Sequence, residues 1–167
     1  MTAPIVLAKN AASGAHRVPS GVLGLLGTAA RLVLSATMMI SGALKLPDPA
    51  ASVRAVRAYR LLPDDLARLV AYGLPVLEVS LGLMLLLGVA TRLAAVAVGV
   101  LLIVFIAGIV SAAVRGLQID CGCFGGGGEV GAGQTRYGQE IARDLGLLAL
   151  CGFLVARPRS RFAVMDQ

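Results

Sequence analysis

Residues 93–114 carry no charged side chain. An apolar helix of about 20 residues is long enough to span the hydrocarbon core of a bilayer. This stretch therefore predicts a transmembrane helix. The whole chain agrees with it: 57% of its residues are hydrophobic and 14% are charged, whereas soluble domains are about a quarter charged.

Three more apolar runs predict an all-α fold, a four-helix transmembrane bundle. The first run is longer than the signal-peptide core of about 7–15 residues, so we expect it to be retained. We expect one membrane domain over 21–157, flanked by tails at 1–20 and 158–167. The predicted spans cover about residues 22–46, 66–90, 93–115 and 138–156, with a loop at 116–137.

A short interfacial helix is predicted between the first two spans, over residues 52–62. Arg54, Arg57 and Arg60 recur at every third position, which places them on one helical face beside apolar residues. We interpret this stretch as an amphipathic connector rather than a lipid-specific site.

The net charge of +6 does not predict nucleic-acid binding, because the basic residues are scattered around apolar spans. Basic residues are almost equally numerous on the two sides, so their count does not decide the orientation. We place both termini in the cytoplasm because the basic cluster at 157–161 directly follows the last span. The prediction is a multi-pass plasma-membrane protein whose loop at 116–137 is extracytoplasmic.

Cys121 and Cys123 lie in that loop, separated only by Gly122. A disulfide closed over so few atoms is strained, and strained, exposed disulfides exchange readily. Disulfides persist outside the cytoplasm. Thiol–disulfide exchange is therefore the leading interpretation, with Cys121 and Cys123 as the reacting residues.

Two other roles for these cysteines remain open. Two thiolates suit Cu(I), although further ligands would be needed, and His16, the only histidine, is expected on the opposite side. The pair could also be structural or inert. Cys151, in the fourth span, is interpreted as a small apolar side chain.

Charged residues near the loop and within the spans are candidate supporting groups. Asp120 should raise a neighbouring thiol pKa unless a cation such as Arg143 or Arg136 offsets it. Arg143 and Asp144 are expected about one turn below the loop.

Arg31 and Glu78 fall at similar depths in their spans, which predicts an ion pair between them. Such charges either fix helix packing or line a polar pocket suited to protons or a quinone head group.

Together these residues resemble the MauE branch of the DoxX-like membrane proteins. The likeness covers about residues 22–156, and the loop at 120–125 (DCGCFG) is its most specific part. The other matching pieces are residues 40–46 (ISGALKL) with Asp48 and Pro49, 59–63 (YRLLP), 74–78 (LPVLE) with Gly82, and 143–145 (RDL).

The resemblance implies extracytoplasmic thiol–disulfide chemistry with a thioredoxin-like partner, as in maturation of a disulfide-rich dehydrogenase subunit. The bundle is also similar in plan to quinone-linked disulfide-forming enzymes, which use two cysteine pairs where this chain has one. We therefore expect a membrane thiol–disulfide relay, a component of an oxidoreductase, with quinone as a candidate acceptor. The alternatives are a copper-handling protein using Cys121 and Cys123, or a non-catalytic subunit of a membrane complex.

Overall fold

The structure, a computed structural model, describes residues 20–123 and 126–156. The predicted tails fall outside these ranges, except for Ser20, where the first helix begins. The elements follow in the order α1 (Ser20–Lys45), α2 (Pro49–Ala58), α3 (Asp64–Leu87), α4 (Thr91–Val114), β1 (Ile119–Asp120), β2 (Gly128–Glu129) and α5 (Tyr137–Ala156).

Three helices in the described part of the chain are long and apolar enough to cross a membrane. They are Val22–Lys45, Asp64–Leu87 and Thr91–Val114, which agree with the first three predicted spans to within a few residues. Helix α5 occupies the position of the predicted fourth span. It contains three charged residues near its start, Glu140, Arg143 and Asp144, and does not meet the same criterion. The fold is thus a mostly helical membrane protein, and the fourth span stays a prediction.

Helices α1 and α3 pack closely through glycines. A Cβ atom added at Gly42 would lie 2.7 Å from the carbonyl oxygen of Pro75, and one at Gly82 would lie 3.0 Å from the backbone nitrogen of Met39. Small residues allow membrane helices to approach in this way. These contacts fix the register, so that Gly42 lies level with Pro75.

The short helix predicted between the first two spans is present as α2, but the predicted bounds of 52–62 are wrong: it begins at Pro49 and ends at Ala58. Arg60 has a positive φ of +51° and lies beyond the helix. The Asp48 side chain accepts a hydrogen bond from Ala51 N at 2.9 Å, which caps the helix start. Ala55 lies on the buried face. The three arginines therefore do not share one helical face, and each pairs with a carboxylate: Arg54 with Asp48, Arg57 with Asp64 and Arg60 with Glu129.

A two-stranded hairpin, which the sequence did not predict, holds the cysteine loop. Strands β1 and β2 are antiparallel, and Ile119 is opposite Glu129. Gly122 and Gly127 both have positive φ, +69° and +88°. A Cβ atom at Gly127 would lie 2.7 Å from Ala55 Cβ, so the loop lies directly against α2.

Candidate functional site: a cysteine pair above a buried ion pair

The cysteine pair lies in the turn between β1 and β2. Cys121, Cys123 and Cys151 are free thiols. The backbone N–H of Cys123 donates a hydrogen bond to Cys121 Sγ at 3.4 Å, and each thiol shifts the pKa of the other. Cys121 is half-buried, whereas Cys123 is only 8% exposed. The two sulfurs are adjacent, and Cys121 is the more accessible.

Side chains from α1, from the end of α2 and from α5 hold the backbone of this pair. Ser41 Oγ, in α1, donates a hydrogen bond to the carbonyl oxygen of Cys123. The Tyr59 hydroxyl, just after α2, donates to the carbonyl oxygen of Cys121 at 3.4 Å. The N–H of Cys121 donates to Glu140 Oε1, in α5, at 3.5 Å. The loop is therefore anchored to α1, α2 and α5 together.

A buried ion pair lies beneath the loop. Lys45 Nζ is 2.6 Å from Glu78 Oε1 and 2.8 Å from Oε2, and it donates to Ser41 Oγ at 3.0 Å. Glu78 is fully buried. The predicted partner of Glu78 was Arg31, and that prediction is wrong.

Register explains the different pairing. The contacts of Gly42 with α3 place Glu78 near the end of α1, whereas Arg31 lies 14 residues before Lys45, roughly 20 Å along the helix. Side chains in a helix point back toward its N-terminus, so Lys45 reaches down from the last turn to Ser41 and Glu78. Arg31 is buried elsewhere in α1 and is not brought to the site.

Arg143 and Asp144 lie under the loop, as predicted. Arg143 Nε is 2.9 Å from Asp144 Oδ1, and Asp144 is almost fully buried. Both residues line a small cavity together with Cys123 and Ser41. The second predicted group of charges therefore belongs to the site.

The surroundings of the two thiols differ electrostatically. The hydrogen bond from Cys121 holds the pKa of Cys123 below its ordinary value, against the effect of burial and with help from the Arg143 and Lys45 cations. The same hydrogen bond and burial raise the pKa of Cys121. The carboxylate that also raises this pKa is Glu140, whereas the sequence pointed to Asp120.

An apolar cavity of about 260 Å³ adjoins the cysteine pair, between α2, α3 and α4. Its wall includes Cys121 and Cys123, and also Lys45 and Tyr59. Burial raises the pKa of Tyr59, so this hydroxyl keeps its proton. The remaining wall is largely aliphatic and aromatic, including Val56, Leu62, Val70, Leu74, Val104 and Phe105.

The family profile described as methylamine utilisation protein MauE matches residues 23–157. The chain belongs to the MauE family. A methylamine utilization protein MauE from Paracoccus denitrificans is 38% identical over 100 residues, which are 59% of this chain and 54% of that relative. The chain thus matches about half the length of this curated relative. No solved structure matches the chain.

Family membership confirms the resemblance drawn from the cysteine loop and the helix-end motifs. Sequence reasoning nevertheless missed four residues of the site: Ser41, Lys45, Tyr59 and Glu140. Three of them lay inside stretches that carried the MauE resemblance, at 40–46 and 59–63. Their place in these stretches was the signal that could have identified Ser41, Lys45 and Tyr59 as site residues. Glu140 had no such signal beyond its position shortly before Arg143.

Proposed function

We propose that this MauE-family chain is a membrane thiol–disulfide relay whose reacting groups are Cys121 and Cys123. The observation that carries the proposal is the position of the two adjacent thiols, at the wall of an apolar cavity between apolar helices. One sulfur is accessible for exchange with a protein, and both adjoin a space suited to a lipid-soluble electron acceptor.

The exchange step begins with the Cys121–Cys123 disulfide. A partner thiolate attacks Cys121, the more accessible sulfur, and Cys123 leaves with the electron pair of the broken S–S bond. The partner's second thiol then attacks the mixed disulfide and releases Cys121. The partner has gained a disulfide, and the loop has become a dithiol.

The loop must then pass two electrons and two protons to an acceptor. We propose a quinone, because the cavity is apolar and its volume of about 260 Å³ suits a ring rather than a whole drug-sized molecule. The quinone supplies two carbonyl oxygens that become hydroxyls when it is reduced. The Cys121–Cys123 disulfide re-forms as both thiols lose their protons. The Tyr59 hydroxyl and the Lys45 ammonium provide hydrogen-bond donors at the wall.

The proposed membrane arrangement adds α5 as a fourth span. This helix packs against α4 and α1, and Leu147, Cys151 and Leu154 are buried there. Its three charged residues lie at the loop end, where they meet the cysteine site rather than lipid. Four crossings put both termini on one side, which we propose is the cytoplasm, and the cysteine loop outside.

The proposed protein partner is an extracytoplasmic protein with a thioredoxin-like dithiol. The family is named for methylamine utilisation. A disulfide-containing protein of that process is therefore the first client to test.

The proposal is tested with the purified full chain in detergent, reduced thioredoxin as the dithiol donor and a short-chain ubiquinone analogue as the acceptor. We expect one quinol for each thioredoxin disulfide formed. Cys123→Ser should stop turnover, because this variant cannot form the loop disulfide. A reduced thioredoxin variant that keeps only its attacking cysteine should form a stable mixed disulfide with Cys121 of the oxidised, unaltered chain, because the second thiol that would resolve it is missing.

Cys151→Ser is the matched control, because this cysteine is buried away from the loop and takes no part in the exchange. It should turn over like the unaltered chain. The relay is refuted if thioredoxin oxidation proceeds no faster than with the Cys121→Ser/Cys123→Ser double variant.

A further inference from the structure

We propose that Asp120, Cys121 and Glu140 form a binding site for a divalent cation of the zinc class. One ligand atom from each residue lies within 4.8 Å of the others. This inference goes beyond the relay and does not depend on it, although it uses one of the same cysteines.

Glu140 gives the second, independent reason for a ligand at this place. Glu140 is only 8% exposed, and its Oε2 atom is buried without a hydrogen-bond partner among the described residues. Its other oxygen, Oε1, accepts the N–H of Cys121. A buried carboxylate oxygen without a partner is costly, and a cation bound by that oxygen would remove the cost.

The fold holds the three ligands in place from two elements. Asp120 ends β1 and Cys121 follows it directly, while Glu140 lies in the first turn of α5. Zinc bonds of about 2.0–2.3 Å in a tetrahedral site require ligand atoms roughly 3.3–3.8 Å apart. The widest of these separations must therefore close by about 1.0–1.5 Å. Asp120 is exposed, and its Oδ1 is held by one long hydrogen bond from the N–H of Gly122, at 3.4 Å.

The donor set selects the kind of ion. One thiolate with two carboxylates suits zinc, which accepts sulfur and oxygen ligands, better than Cu(I), which prefers soft sulfur ligands alone. Three protein ligands leave a fourth position for water. The site therefore differs from a copper site on Cys121 and Cys123. An ion bound here would withhold Cys121 from disulfide formation, a consequence that rests on the proposed relay.

The test titrates the reduced, detergent-solubilised full chain with Zn²⁺ against a chromophoric chelator, and with Co²⁺ as a spectroscopic probe. We expect one ion per chain and a thiolate-to-cobalt charge-transfer band. Glu140→Gln and Asp120→Asn should each weaken Zn²⁺ binding by about tenfold or more, and Cys121→Ser should remove the band. Asp120→Asn keeps the test valid if Glu140→Gln fails to fold.

Two variants serve as controls. Glu129→Gln alters a neighbouring exposed carboxylate that pairs with Arg60 and should leave binding unchanged. Cys123→Ser removes a sulfur that is not a proposed ligand and should still bind one ion per chain. The proposal is overturned if no ion binds stoichiometrically. It is also overturned if Cys123→Ser abolishes binding while Glu140→Gln and Asp120→Asn preserve it, since the site would then be the cysteine pair. A chain that binds zinc but never forms the disulfide would refute the relay alone.

Discussion

Lys45 Nζ lies 2.6 Å and 2.8 Å from the two carboxylate oxygens of Glu78, and both side chains are buried. Lys45 also donates a hydrogen bond to Ser41, whose hydroxyl donates to the carbonyl oxygen of Cys123. The ion pair therefore connects α1 and α3 to the cysteine loop through a single hydroxyl group.

Replacing Lys45 by methionine should destabilise the protein strongly. The change keeps the side-chain length but leaves the Glu78 carboxylate buried without its cation, which costs about 3–5 kcal/mol in comparable pairs. The midpoint of thermal unfolding in detergent measures the effect.

Arg54→Met is the matched control for that change. Arg54 pairs with Asp48 at 3.5 Å on the surface, where such pairs contribute about 0–1 kcal/mol. Similar losses of stability for Lys45→Met and Arg54→Met would argue against the importance of the buried pair.

Alanine at Gly127 should disturb the cysteine loop. Its Cβ atom would lie 2.6 Å from Gly122 Cα and 2.7 Å from Ala55 Cβ, so the loop must move away from α2. We expect faster alkylation of Cys121 and Cys123, measured by mass spectrometry.

Gly126→Ala is the control that distinguishes the contact between Gly127 and α2 from the strain of alanine at a positive φ. Gly126 has a positive φ of +70°, similar to the +88° of Gly127, but open space around its missing side chain. If the two variants expose the cysteines equally, the contact with α2 does not position the loop.

Alanine at Gly42 should weaken the packing of α1 on α3. The added Cβ atom would lie 2.7 Å from the carbonyl oxygen of Pro75, a backbone atom that cannot turn aside. Overpacking of this kind costs about 1–3 kcal/mol, measured as a lower midpoint of thermal unfolding.

Gly73→Ala provides the comparison within α3, because nothing lies within 4 Å of its missing side chain. Alanine is the better helix former by roughly 0.5–1 kcal/mol, so this variant should be as stable as the unaltered chain or more so. A stable Gly42→Ala variant would contradict the close packing of the two helices.

The sequence predicted the helices well because their signals are local. Long apolar runs define α1, α3 and α4, and the arginine pattern indicated α2, although both of its ends were predicted three to four residues too late. The cysteine pair and the charges at 143–144 were likewise recognisable from their order along the chain.

Contacts between elements were harder to predict. The ion pair of Glu78 depends on the register of α1 against α3, which Gly42 and Gly82 fix through backbone contacts that no hydropathy pattern encodes. Glu140 was missed because a carboxylate near a helix start is ordinary until the hairpin places Cys121 beside it.

The reduction potential of the Cys121–Cys123 pair tests the central claim most directly. The Cys151→Ser chain is equilibrated with thiol–disulfide buffers, and the remaining thiols are counted by mass-tag alkylation. A relay predicts a reversible disulfide with a potential between about −120 and −270 mV, the range of proteins that exchange disulfides. The account would be contradicted if the two cysteines formed no reversible disulfide. It would also be contradicted by a reduction potential below about −300 mV, which is typical of structural disulfides.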